Sequence, residues 1–228
     1  VITGRSEIGK TNLCLNLAYC LATGTPFLGF RVPRKVSVAY IGFEGDPKQT
    51  AERIAKIEQN YPPTDGLIWL NPSTPIFKLT KGSISEFKNE TRGFRVVILD
   101  PVRYMVSGDY LSPKDVTEFL STLQGVLAQN GSLGIMTIHF RKQNTLGLIE
   151  PEDLWNIKGA TEWGDTASTV LLLERTRQRS IGGHGRGFQP VDKDNVTIYF
   201  AKTRNAIKAH SPMKLRLNKE KLIFEPLP

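Results

Sequence analysis

The chain has 228 residues, 39% of them hydrophobic and 23% charged, and a formal net charge of +8. That length suits one large α/β domain; no apolar run reaches the ~18 residues of a membrane span and no signal peptide is recognisable, so a cytoplasmic protein without a membrane partner is expected. The basicity is local: residues 1–174 hold 18 Lys/Arg against 18 Asp/Glu, whereas residues 175–221 hold 12 against 3, a block that suits nucleic acid or, alternatively, a solvated surface or a subunit interface.

In chain order, Val1–Thr3 is a short strand, and GRSEIGKT (4–11) fits G-x-x-x-x-G-K-[ST]. Such a loop turns its backbone N–H groups inward as an anion nest, its Lys meets the β- and γ-phosphates, and its Ser/Thr offers a hydroxyl to Mg²⁺. The following helix, TNLCLNLAYCLA (11–22), places Leu13, Leu17 and Leu21 on one face and aims its positive end at the same phosphates. The nucleotide cradle is therefore assigned to Gly4, Arg5, Ser6, Glu7, Ile8, Gly9, Lys10, Thr11 and Asn12. Cys14 and Cys20 sit six residues apart in this helix, a spacing that does not suit a metal site; both read as small buried hydrophobes in a reducing compartment.

RKVSVAYIGFE (34–44) is β-rich and ends in Glu44, and DPKQTAERIAKIEQN (46–60) is a helix capped by Asp46 with Pro47 at its first position. GLIWLN (66–71) reads as a strand, SISEFKNETR (83–92) as a weak helix, and RVVILD (95–100) as a buried parallel strand ending in Asp100. SPKDVTEFLSTLQGVLAQN (112–130) is an amphipathic helix capped by Ser112, and SLGIMTIHF (132–140) is another buried strand. Residues 141–166 read as irregular, STVLLLER (168–175) as a strand, and 176–195 as a basic, Gly-rich loop. NVTIYFAKT (195–203) and the hairpin MKLRLNKEKLIFE (213–225) read as antiparallel β-structure. The sum is an α/β fold with a mainly parallel sheet and an antiparallel C-terminal edge, with any phosphate site at the carboxyl ends of the strands.

Hydrolysis needs more than a cradle: an acid near Mg²⁺ and a group that activates water. Asp100, at a strand tip, fits the first, so Thr11 and Asp100 form the candidate Mg²⁺ set. Asp100 is followed by Pro101, not by a second acid, so the water-activating carboxylate must come from elsewhere, and Glu44 is the natural source.

The order GRSEIGKT, FEGDPKQTAERI, VVILDP, TIHFRK, AKTRN resembles the RecA-like P-loop ATPases, and within them the hexameric replicative helicases of the DnaB and plasmid RepA type; it covers about residues 1–205. The resemblance implies ATP and Mg²⁺ as ligands, Glu44 as the catalytic carboxylate, an arginine at Arg53, His139 as the sensor of the γ-phosphate, and Lys202 and Arg204 as a basic pair reaching the ATP of the neighbouring subunit in a homo-oligomeric ring. It also implies that the loops 102–111 and 141–166 line a channel for single-stranded DNA. The second holds Arg141, Lys142 and Lys158 with Trp155 and Trp163, but also five acids, so Arg177, Arg179 and Arg186 of the Gly-rich loop are the stronger electrostatic candidates, for DNA or for the subunit interface.

The function expected is thus a ring-forming, ATP-hydrolysing helicase or translocase in replication. The alternative is a RecA-like DNA-binding ATPase without unwinding activity: a loader, a recombination mediator or a mobile-element regulator. A small-molecule kinase shares the cradle but needs a lid, and no Arg-rich helical lid is visible. One RecA-like domain spanning 1–228 is expected, with 205–228 as a β-hairpin extension and, because only three residues precede Gly4, a cut at the N-terminus.

Overall fold

The computed structural model describes residues 1–70, 78–139, 161–179, 188–190, 194–204 and 210–227. In chain order these form β1 (Ile2–Gly4), α1 (Lys10–Thr23), β2 (Val38–Gly42), α2 (Pro47–Glu58), β3 (Leu67–Leu70), α3 (Ile84–Glu90), β4 (Val96–Asp100), α4 (Pro113–Asn130), β5 (Leu133–His139) and α5 (Glu162–Thr166). There follow β6 (Thr169–Arg175), β7 (Arg177–Arg179), β8 (Phe188–Pro190), β9 (Asn195–Thr203), β10 (Met213–Asn218) and β11 (Ile223–Pro226). A nine-stranded sheet runs β11-β10-β9-β6-β1-β5-β4-β2-β3. It is parallel from β3 to β6 and antiparallel from β6 to β11, as the sequence predicts.

Both faces of the parallel part are covered, which is why β4 reads as unbroken apolar sequence. Val97 and Leu99 face one core, with Phe119, Leu120, Leu123 and Leu127 of α4 and Phe87 of α3. Val96 and Ile98 face the other, with Leu13, Cys14, Leu15 and Ala18 of α1 and Ile57 of α2. The caps fall where expected: the Asp46 side chain accepts a hydrogen bond from the Gln49 amide and Ser112 from the Asp115 amide, each followed by a proline. Cys14 and Cys20 are buried and free, and burial pushes the Cys14 thiol well above its ordinary range, which keeps it inert.

Two expectations need correction. The end of the stretch read as irregular, 141–166, forms α5, and its Trp163 is fully buried against Phe119 and Tyr110, so it offers no stacking surface to a nucleic acid. The segment read as a loop, 176–195, contains β7 and β8, paired antiparallel in a small sheet of their own; strands of three residues lack the periodicity that a sequence pattern can register. Among the described residues no helix is long and apolar enough to cross a membrane.

Candidate functional site

Parallel pairing sets the register of the strand tips. Gly4 of β1 lies opposite His139 of β5, and Gly42 of β2 opposite Asp100 of β4. The strand carrying His139 lies between the cradle strand and the strand ending in Asp100, so the three tips converge at one edge of the sheet.

The loop from Gly4 to Gly9 wraps that edge. At Gly4 a Cβ would come within 2.7 Å of the Leu173 carbonyl oxygen, so only glycine permits so close an approach to β6. Gly9 has φ 97° and caps α1, and a Cβ there would meet the Phe224 ring at 2.7 Å. Between them Glu7 adopts φ 59° without glycine's freedom. Lys10 folds back beneath the loop: its Nζ donates to the carbonyls of Gly4 (3.1 Å) and Arg5 (2.8 Å) and lies 3.5 Å from His139 Nδ1. Burial lowers the Lys10 pKa from its ordinary value, and the charge of Asp100 works against that shift.

Asp100 is 6% exposed, yet both carboxylate oxygens are served. Tyr40 Oη on β2 donates to Oδ2 at 2.5 Å, and Thr137 Oγ1 on β5 donates to Oδ1. Burial, reinforced by the neighbouring carboxylate, pushes the Tyr40 phenol well above its ordinary range and keeps it a donor. Two strands thus fix Asp100 at the edge of the cradle. Acceptor lone pairs remain on each oxygen, and a hard divalent ion needs only one or two carboxylates beside water and phosphate; Thr11 and Asp100 therefore fit a Mg²⁺ site.

Glu44 is not the last residue of its strand, as the sequence suggests: β2 ends at Gly42, and the chain is tied to β4 by the Phe43 amide donating to the Asp100 carbonyl at 2.8 Å. Glu44 stands in the bend beyond. Its Oε2 lies 4.0 Å from His139 Nε2, and its Oε1 pairs with Arg103 and accepts from Tyr104 Oη at 2.9 Å.

These groups meet in one cavity of about 520 Å³, within the usual size of a small-ligand site. Glu7 to Asn12, Glu44, Arg53, Asp100 and His139 all line it; Arg5 and Ser6 are exposed and do not. The sequence alone does not reveal a second wall: Arg175 at the end of β6, Asp194 just ahead of β9 and Val196 within it, Leu217 on β10 and Lys219 just after it, and Phe224 on β11. Asp194 and Lys219 form an ion pair of 2.6 Å. Asn16 of α1 pins this wall in place, accepting from the Phe224 amide (2.8 Å) and donating to the Leu222 carbonyl (3.3 Å). Only long-range pairing makes these residues neighbours, so no local motif announces them.

Lys202 and Arg204 lie elsewhere. Strand β9 runs antiparallel to β6, so its end at Thr203 pairs with Thr169, at the edge of the sheet opposite the cradle. A bulge shifts the register between Val170 and Leu171 and turns Lys202 toward α5. There Lys202 Nζ donates to the Gly164 (2.9 Å) and Asp165 (2.8 Å) carbonyls, and Arg204 donates to the Asp165 carbonyl (2.9 Å), favourable partners for cations at a helix C-terminus. Of the nucleic-acid candidates, Arg141, Lys142, Lys158 and Arg186 lie outside the described residues, as does Trp155; Arg177 and Arg179 lie on β7, where the backbone alone is described.

A glycine-gated cradle joining β1 to α1, an acid fixed at the tip of β4, and a parallel sheet with one strand inserted between them define a RecA-like P-loop ATPase domain, a nucleotide-binding module. Residues 1–145 match the AAA domain family, and the chain belongs to it. No curated protein sequence matches it. Among solved structures it is similar to a DnaB-like replicative helicase studied with its interactions with primase (TM-score 0.67, 12% identity, 100% of this chain and 58% of that one). It is similar also to a structure solved as an ATPase domain (0.67, 12%, 100% and 84%) and to the flagellar accessory protein FlaH from Methanocaldococcus jannaschii (0.58, 14%, 100% and 88%). The chain thus spans 58% of the length of that replicative helicase. Identities this low speak for the fold, and FlaH places that fold outside the helicases.

Proposed function

We propose that the chain is the ATP-hydrolysing motor domain of a ring-forming helicase or translocase, a hexamer acting on single-stranded DNA in replication. Residues Gly4 to Asn12 bind the triphosphate, with Lys10 turning from the Gly4 and Arg5 carbonyls to the β- and γ-phosphates. Thr11 and Asp100 would hold Mg²⁺, which when bound neutralises phosphate charge. Glu44 accepts the proton of the attacking water. His139, between Lys10 and Glu44, touches the groups that meet the γ-phosphate and passes its state to the segment that follows β5.

The observation that carries the ring is the position of Lys202 and Arg204. Asp194, just ahead of β9, lines the cavity, whereas the nine residues of β9 span roughly 30 Å at ~3.4 Å each before the chain reaches Arg204. The pair cannot serve its own cradle. Placed against a neighbour's, it would stabilise the charge of the transferring phosphoryl group. The net +9 of residues 175–221 supports a nucleic-acid partner. The second reading is a RecA-like ATPase that binds DNA without unwinding it; FlaH, a flagellar accessory protein, supports only the point that this fold is not confined to helicases.

The test is ATP hydrolysis with and without single-stranded DNA, run beside a mass measurement of the assembly. A ring with DNA-stimulated turnover is expected; a monomer indifferent to DNA at all concentrations would refute the proposal. Unwinding of a forked duplex separates the two readings.

A further inference from the structure

Arg103 belongs to a short 3-10 turn, Val102–Met105, that follows β4. Its Nη2 donates to Glu44 Oε1 and, at 2.6 Å, to Tyr104 Oη; the Tyr104 hydroxyl donates in turn to the same Glu44 oxygen at 2.9 Å. The three groups close a triangle on Oε1. The guanidinium also lies 4.6 Å from the centre of the Tyr104 ring, and that ring leans on Phe43, the residue before Glu44, with centroids 6.5 Å apart. Glu44 Oε2 is left facing His139. Among the described residues Glu44 lines the cavity and Arg103 does not. Arg103 therefore approaches the carboxylate from behind.

We infer that Arg103 is a positioning residue for Glu44: together with Tyr104 it anchors one carboxylate oxygen so that the other stays turned toward the reacting water. The inference rests on the reading of Glu44 as the water-activating carboxylate. Glu44 stands in a bend, without the ladder hydrogen bonds that hold Asp100, and its side chain would otherwise sample several rotamers. A charge-assisted hydrogen bond from a planar guanidinium sets direction as well as distance. Both side chains are well exposed, 37% for Arg103 and 40% for Glu44, and a pair so exposed contributes little to folding. Substitution therefore tests geometry more than stability.

The experiment is a double-mutant cycle on single-turnover ATP hydrolysis, with nucleotide affinity measured separately. Arg103→Ala should slow hydrolysis by roughly 10- to 100-fold, the scale of a misplaced catalytic group, with affinity unchanged. Arg103→Lys should recover part of the loss, and Tyr104→Phe should cost a few-fold. In a Glu44→Gln background Arg103→Ala should change the rate by less than about twofold, because its effect runs through Glu44. Wild-type turnover in Arg103→Ala or Tyr104→Phe beside an inactive Glu44→Gln would overturn the positioning role alone, as would an undiminished Arg103→Ala effect in the Glu44→Gln background. Wild-type turnover in Glu44→Gln itself would remove the reading on which it rests.

Discussion

The parallel half of the sheet and its antiparallel wing use their strand ends differently. From β3 to β6 every strand points the same way, so Gly4, Asp100 and His139 arrive at one edge and build one site. In the wing the direction alternates. Asp194 ahead of β9, Lys219 after β10 and Phe224 on β11 close the wall of that site, while Lys202 and Arg204 leave at the far edge. A single strand, β9, thus touches the nucleotide cavity at one end and, on the proposed reading, a neighbouring subunit at the other. On that same proposed reading the parallel half holds the chemistry, and the wing connects it to a neighbour.

The sharpest way to break this division is at Arg204. Arg204→Ala should lower turnover by about 10³- to 10⁵-fold, the scale of an arginine finger, although the residue lies outside the cavity. Mixing it with Lys10→Ala subunits should restore measurable turnover, since each supplies what the other lacks. Unimpaired turnover of Arg204→Ala would assign the residue only to the Asp165 carbonyl it holds.

A smaller effect is expected where the two halves are joined. Asn16 is 3% exposed and satisfies two backbone groups of the β10–β11 hairpin. Asn16→Ala strands both, which costs about 2 kcal/mol, and loosens the Phe224 ring that abuts Gly9. Thermal unfolding should shift downward and nucleotide affinity should weaken in the same variant. Lost stability with unchanged affinity would show that the wing closes the cavity without shaping the cradle.

The smallest effect lies within the cradle. A left-handed residue other than glycine costs of order 1 kcal/mol or more, against about 0.5–1 kcal/mol of extra chain entropy for glycine. Glu7→Gly should therefore raise the melting temperature slightly, by a few degrees at most. A lowered melting temperature would mean that the Glu7 side chain makes a compensating contact.

The same contrast explains what was legible in the sequence. GRSEIGKT, the run ending in Asp100, and the Asp46–Pro47 and Ser112–Pro113 caps are local patterns, and each lies where the pattern placed it. The tips carrying Gly4, Asp100 and His139 could be read because each of those strands announces its own end. Glu44 was readable as a residue but not as a position, because the strand stops two residues earlier and a hydrogen bond to β4 carries the chain onward. Tyr40, Thr137 and Arg103 act through register or through a turn, and nothing nearby in the sequence marks them. Asp194, Lys219 and Phe224 depend on the pairing of β9, β10 and β11, and the bulge that aims Lys202 is a single extra residue in one strand.

The central claim is that cradle and carboxylate are separable: one binds the nucleotide and the other activates water. Glu44→Gln keeps the shape and hydrogen-bonding reach of the side chain and removes its basicity. Nucleotide affinity and single-turnover hydrolysis should be measured on this variant, with Lys10→Ala as the reference that loses both. The expected result is wild-type affinity, within about threefold, with hydrolysis reduced at least about 100-fold, the contribution of a general base. Hydrolysis within a few-fold of wild type would contradict the claim and remove Glu44 from the reaction.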